Sequence, residues 1–188
     1  MKLVCTITLF FSVCAHVFSQ NINVTSTQTP QQLVNSVLLG SGVTASNITI
    51  NGVAGMANTP FGNIGYFTNT NATFPMTSGL ILTTGDAMGA AGPNSSGTST
   101  NTGTSQSVSF DPDLNAIANG SITNGVLLEF DFIPAGDTLI FNYLFGSDEY
   151  IEDAPPNNSS FNDAFGIFLW GPGISGPFAF PGYPNGGA

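Results

Sequence analysis

The chain has 188 residues and a formal net charge of −10, with eleven carboxylates against a single Lys or Arg. This length is enough for one domain with a hydrophobic core of its own. The excess of acid excludes binding to the phosphate backbone of nucleic acids, because such binding requires basic side chains that neutralise phosphates.

The first nineteen residues have the pattern of a secretory signal peptide. Lys2 supplies the positive charge, an apolar run spans residues 3–18, and small or permissive residues precede Gln20. A transmembrane anchor is the alternative, but the run is short for one and polar residues follow at once. A lipoprotein would use Cys14, and Val13 is a poor residue before a lipidated Cys. We therefore expect a signal peptide over residues 1–19 and a secreted or cell-surface domain over residues 20–188, with no membrane insertion.

Cleavage before Gln20 removes every basic residue and every cysteine. Lys2, His16, Cys5 and Cys14 all precede the cleavage position, so the mature chain has no Lys, Arg, His or Cys and keeps all eleven carboxylates. Disulfides, salt bridges between side chains, and metal sites built from Cys or His are therefore excluded. Catalytic triads that need a His base are excluded for the same reason.

The first predicted element of the mature chain is a helix that begins near Thr29. Thr29 is a favourable N-cap, Pro30 suits the first helical position, and Gln32 completes a capping box with Thr29. An apolar stripe follows at helical spacing over residues 33–38, and glycines at 40 and 42 end the helix.

Short strands are predicted after the helix. Residues 43–53 form one strand that ends in an Asn51-Gly52 turn, and residues 61–67 and 79–84 form two more. Residues 85–106 are a low-complexity loop of small and polar residues.

The stretch from residue 126 to residue 170 contains three apolar runs. Residues 126–132 and 138–145 alternate apolar with polar side chains and are joined by a Pro/Gly loop, which predicts a β-hairpin. Residues 164–170 are almost wholly apolar, which predicts a strand buried on both faces with Trp170 in the core. Together the elements predict a mainly β fold, an antiparallel β-sandwich of jelly-roll type with one short N-terminal α-helix.

Several motifs resemble those of the choice-of-anchor L domain family. They occur in the family's order over residues 29–48, 78–87, 129–150 and 160–174. The resemblance implies an extracellular β-rich module of exported, often very large proteins, mostly from Bacteroidota-like bacteria. It also implies that anchoring depends on sequence downstream of the domain. We expect that residues 20–188 are a domain truncated at its C-terminal end.

The loop between the second and third runs of that stretch is rich in acid. Without basic partners, its carboxylates are either solvated or bound to a metal ion. Ca²⁺ takes about six to eight oxygen ligands in irregular geometry, whereas Mg²⁺ needs a stricter octahedron and keeps its waters. We expect Asp148, Glu149 and Asp163 to be the ligands of a calcium site, because the loop brings its two ends together. Glu152 and Asp153 are expected to be solvated.

Two other groups of acidic residues are candidate sites. Asp86, Asp111 and Asp113 are a candidate second cluster. Glu129 and Asp131 share one strand face, as the two acids of a glycoside hydrolase would, but alternation on an exposed strand explains them without catalysis.

The sequence therefore predicts a non-catalytic recognition or adhesion module whose partner is an extracellular glycan or protein. An exported carbohydrate-active enzyme and a purely structural spacer are the alternatives. Apart from the candidate Ca²⁺, no cofactor is expected.

Overall fold

A computed structural model describes residues 22–71, 74–92, 108, 111–118, 122–146 and 164–172. The strands are β1 (Ile22–Thr25), β2 (Thr44–Ile50), β3 (Ile64–Asn69), β4 (Ser78–Leu82) and β5 (Leu128–Ile133). The helical elements are α1 (Pro30–Leu33), a π-helical turn (Val34–Leu38), two 3-10 turns (Ala54–Asn58 and Ala87–Ala91) and α2 (Pro112–Ala118).

The described strands form two antiparallel sheets. β3 is the centre of a three-stranded sheet with the order β1-β3-β4, and β2 pairs with β5 in a two-stranded sheet. The second pairing is long-range, since Thr49 lies opposite Glu129, which is 80 residues further along the chain. The prediction of a mainly β, antiparallel fold is confirmed. The jelly-roll sandwich stays a prediction, because the described strands do not by themselves define that topology.

The first helical segment begins as the capping residues predict. Gln32 donates its backbone N–H to Thr29 Oγ1 at 3.1 Å, and Thr29 donates its backbone N–H to Gln32 Oε1 at 2.9 Å. One α-helical turn then continues as the π-helical turn, in which Leu39 donates its backbone N–H to the carbonyl of Val34 at 3.1 Å. The segment therefore differs from the uniform α-helix that the apolar spacing predicts. Residues 35–37 (Asn, Ser, Val) have weaker helix propensities than Ala or Leu, so packing of the apolar side chains decides the conformation.

The predicted turn after β2 is confirmed. Asn51 and Gly52 have φ angles of +50° and +74°, the left-handed pair that a type I′ turn requires. Val53 donates its backbone N–H back to the carbonyl of Ile50 at 3.0 Å, which closes the turn.

The predicted hairpin is wrong. β5 ends at Ile133, and residues 134–146 are exposed and contain no strand. No described strand follows the Pro/Gly linker to pair with β5, whose partner is instead β2. The chain instead runs on past Gly42, where an added Cβ would lie 3.2 Å from Ala135 Cβ.

The prediction of a buried strand at residues 164–170 is also wrong. This segment contains no strand, and Trp170 is 66% exposed rather than part of the core. An apolar run indicates that its side chains tend to be buried, but it does not identify the partner strand that would bury them.

Side chains from both sheets and from the first helical segment form the core. Leu33, Ile50, Phe61 and Ile64 form one buried cluster, with partly buried Leu80 and Leu128 packed against it. The next helical residue, Val34, joins a separate cluster with Ile48 and Ala57. Leu33 and Val34 are adjacent in the first helical segment but belong to different clusters. Through Leu33 the segment packs against side chains of both sheets.

Two buried asparagines form hydrogen bonds to backbone groups at the two ends of β3. Asn69 is 8% exposed; its Nδ2 donates to the carbonyls of Asn71 and Met76, and its Oδ1 accepts the backbone N–H of Asn71. Asn63 is 1% exposed and donates from Nδ2 to the carbonyl of Thr83 at 3.2 Å. A buried polar group is stable only when it is hydrogen-bonded, and these bonds fix the ends of the β3–β4 hairpin.

We expect Gly65→Ala to destabilise the fold. An added Cβ would lie 2.6 Å from the backbone oxygen of Thr25, so β1 and β3 would have to move apart. Overpacking of this kind costs about 1–3 kcal/mol. Gly62→Ala is the matched control, because nothing lies within 4 Å of the Cβ position there. Urea unfolding of both variants measures the difference, and equal stabilities would contradict the close approach of β1 to β3.

We expect Asn69→Ala to lower the free energy of unfolding by about 1–3 kcal/mol, because the backbone groups that Asn69 satisfies would lose their partner in a buried place. Asn35→Ala is the control. Asn35 is exposed and donates only one side-chain bond, to the carbonyl of Gln31 at 2.9 Å. Its loss should change stability by less than about 0.5 kcal/mol. Similar values for the two variants in thermal unfolding would show that the Asn69 network does not support the hairpin.

Candidate functional site

The residues predicted to bind calcium cannot be placed. Asp148, Glu149 and Asp163 all lie outside the described residues, as do Glu152 and Asp153. The calcium site therefore stays a prediction.

The candidate second acidic cluster is wrong. Asp86 Oδ1 accepts the backbone N–H of Met88 at 2.9 Å, and Asp111 Oδ1 accepts the backbone N–H of Leu114 at 2.8 Å. These carboxylates cap the starts of a 3-10 turn and of α2, and Asp113 lies in the first turn of α2. Within the described part of the chain, no group of three or more acidic, His or Cys side chains could hold a metal ion.

Glu129 and Asp131 lie on the exposed face of β5, as the alternation predicts. Thr49 Oγ1 donates to Glu129 Oε2 at 3.2 Å, and Asn47 Nδ2 donates to Asp131 Oδ2 at 2.6 Å. Asn47 has a φ of +51° at the irregularity between Ser46 and Thr49, and this conformation is one that Asn tolerates better than most residues. The two carboxylates thus accept hydrogen bonds from side chains of β2.

A groove of about 690 Å³ lies elsewhere on the surface, between the chain leading into β4 and the exposed segment after β5. The described residues that line it are Pro75, Met76, Thr77, Ser78, Phe141, Asn142 and Tyr143. These residues offer aromatic, hydroxyl and amide groups and include no carboxylate, so neither Glu129 nor Asp131 lines the groove. The volume is within the range of about 300–1,000 Å³ that is usual for ligand sites.

One wall of the groove belongs to a group of aromatic rings. The ring of Tyr143 is stacked on that of Phe165, with centroids 5.3 Å apart and planes 28° apart. Phe145 also stacks on Phe165, with a centroid distance of 6.2 Å. Phe168 stacks on Trp170 at 5.9 Å. The stacking joins segments 143–145 and 165–170 on the surface, although neither is a strand.

The sequence did not point to this groove. Alternation over residues 138–145 predicted that the aromatic side chains face a core, and the same alternation is also consistent with an exposed row of rings. The available signal was weak: Asn142 and Tyr143 interrupt the apolar pattern with groups that can form hydrogen bonds.

No helix within the described residues is long and apolar enough to cross a bilayer. Comparison with curated proteins found no match, and neither did comparison with solved structures. The family model of the choice-of-anchor L domain matches residues 21–178. The match covers most of the chain and includes both walls of the groove. Domains of this family belong to exported or surface-associated proteins, and the family is not a known enzyme family. The chain belongs to the choice-of-anchor L domain family.

Proposed function

We propose that the domain is a non-catalytic recognition or adhesion module of a larger secreted or surface-anchored protein. The observation that carries this proposal is the concentration of exposed apolar side chains on one part of the chain. Of the eleven large hydrophobic residues that are exposed in the described regions, eight lie between residues 139 and 170. A contiguous exposed apolar patch usually marks an interaction site, because contact of apolar surface with water is unfavourable in free energy.

The rest of the surface supports the same proposal. The mature chain carries eleven carboxylates and no basic residue, so it stays soluble and repels itself and other acidic molecules. The apolar segment over residues 138–146 has no charged side chain, which leaves it available for a neutral partner. We call the surface formed by residues 138–146 and 164–172 the aromatic surface.

We expect the double variant Tyr143→Ala, Trp170→Ala to reduce adhesion of beads coated with the mature chain at least about fivefold, since it removes two aromatic contact surfaces. The test surfaces are a neutral polysaccharide, mucin and unglycosylated casein. Val53→Ala, Met88→Ala is the matched control, because both residues are 47% exposed and lie outside the aromatic surface.

Three outcomes would contradict the proposal. Adhesion to none of the surfaces would indicate a spacer. Shortening of the polysaccharide would indicate an enzyme. Equal loss of adhesion in the test and control variants would show that the aromatic surface has no special role.

We further propose that Ca²⁺ stabilises the acidic loop through Asp148, Glu149 and Asp163. The proposal is supported by the absence of any basic partner for these carboxylates in the mature chain. Extracellular calcium modules bind with Kd values of about 0.1–1 mM, and oxygen ligands from carboxylates and carbonyls suit this ion.

Addition of about 10 mM Ca²⁺ should raise the free energy of unfolding by about 1.4 kcal/mol if Kd is about 1 mM. The corresponding increase in Tm is about 3–6 °C for a chain of this size. The variant Asp148→Asn, Asp163→Asn should lose this increase. Asp137→Asn should retain it, because Asp137 is exposed and accepts only from Thr138 Oγ1 among the bonds described for its side chain. An unchanged Tm of the unsubstituted mature chain would rule out the calcium site.

A further inference from the structure

The geometry points to the groove as a binding site for a neutral oligosaccharide, an inference that rests on the proposed recognition function and specifies its ligand. The site consists of the groove between residues 75–78 and 141–143, with Tyr143 as its stacking platform and Asn142 as its main hydrogen-bonding group.

The aromatic wall is suited to the apolar face of a sugar ring. Tyr143 lines the groove and is 51% exposed, and its stacking on Phe165 holds the ring in one orientation. The half-exposed ring offers a flat apolar surface. Because Phe165 already restricts the ring, little conformational entropy is lost when a ligand binds to it. Phe141 also lines the groove and extends this wall.

Polar side chains lie beside the aromatic wall. Asn142 is exposed, and its amide makes no hydrogen bond to any other described residue. The hydroxyls of Thr77 and Ser78 are likewise exposed and have no described partner. Hydroxyl and amide groups both donate and accept hydrogen bonds, as the hydroxyls of a sugar do.

The backbone on this side of the groove is already engaged. The carbonyl of Thr77 accepts the backbone N–H of Asn69 at 2.8 Å, and the carbonyl of Met76 accepts from Asn69 Nδ2 at 3.3 Å. A peptide that added a strand would bind mainly through backbone groups. The two carbonyls are not available to such a peptide, and these bonds hold the backbone of this wall in place beside the polar side chains.

Charge restricts the class of sugar. None of the described residues that line the groove is acidic or basic, and no Lys, Arg or His follows residue 16 in the sequence. A sulfated or uronic acid glycan would find no cationic partner and would be repelled by the overall negative charge. The ligand is therefore a neutral oligosaccharide.

Isothermal titration of the secreted chain with cellohexaose, maltohexaose, laminarihexaose and xylohexaose tests the inference. We expect at least one of these neutral hexasaccharides to bind. Tyr143→Ala should weaken that binding about tenfold and Asn142→Ala about three- to tenfold, since they remove a stacking face and a hydrogen-bonding group. Asn142 is exposed, so its variant should fold even if the Tyr143 variant does not.

Met88→Ala is the matched control. Met88 is 47% exposed, similar to Tyr143 at 51%, and it lies outside both the groove and the aromatic surface. Its binding should stay within about twofold of the unsubstituted chain. Binding should also be unchanged between about 0.05 and 0.5 M NaCl, because recognition of a neutral ligand is not screened by salt.

The inference is overturned if none of the four hexasaccharides binds, if Met88→Ala weakens binding as much as Tyr143→Ala, or if the affinity falls steeply with salt. Adhesion to casein without binding to any hexasaccharide would overturn the glycan ligand while leaving the recognition function intact. Absence of both kinds of binding would overturn the glycan ligand and the recognition function together.

Discussion

The architecture depends on the pairing of β2 with β5 across a long stretch of chain. Asn51 fixes this pairing with two bonds to Leu127, which lies 76 residues further on: its backbone N–H donates to the Leu127 carbonyl at 2.8 Å, and its Oδ1 accepts the Leu127 N–H at 3.0 Å. Asn51 can do both because its left-handed φ of +50° turns the chain immediately after β2. The pairing also sets the exit of β5, since Ile133 lies opposite Thr44 and the chain then passes Gly42.

The second constraint is the absence of any Lys, Arg or His after residue 16. Carboxylates that would otherwise pair with such residues need neutral donors, and four of the described carboxylates have one. Asp86 and Asp111 accept backbone N–H groups, while Glu129 and Asp131 accept from side chains of β2. The polar contacts among the described residues therefore pair a neutral donor with either a neutral or a carboxylate acceptor.

Local features of the fold were predictable, whereas pairing and exposure were not. The capping box at Thr29, the Asn51-Gly52 turn and the alternation of β5 are decided by neighbouring residues, and the structure contains each of them. The same alternation over residues 138–145 failed as a prediction of a strand, because alternation does not identify a partner strand and β5 pairs with β2 instead. The groove was missed for a related reason: sequence spacing does not show that residues 75–78 and 141–143 meet. The predicted ligands Asp148, Glu149 and Asp163 lie outside the described residues.

The central claim is that aromatic side chains after β5 form an exposed recognition surface on the folded protein. The chain has a single tryptophan, Trp170, and it is 66% exposed on that surface. Acrylamide quenching of its fluorescence in the folded mature chain therefore measures the exposure directly. We expect red-shifted Trp170 emission, which acrylamide should quench nearly as efficiently in the folded chain as in the urea-unfolded chain. Blue-shifted emission that resists quenching until the protein unfolds would show that Trp170 belongs to a core, and would contradict the account.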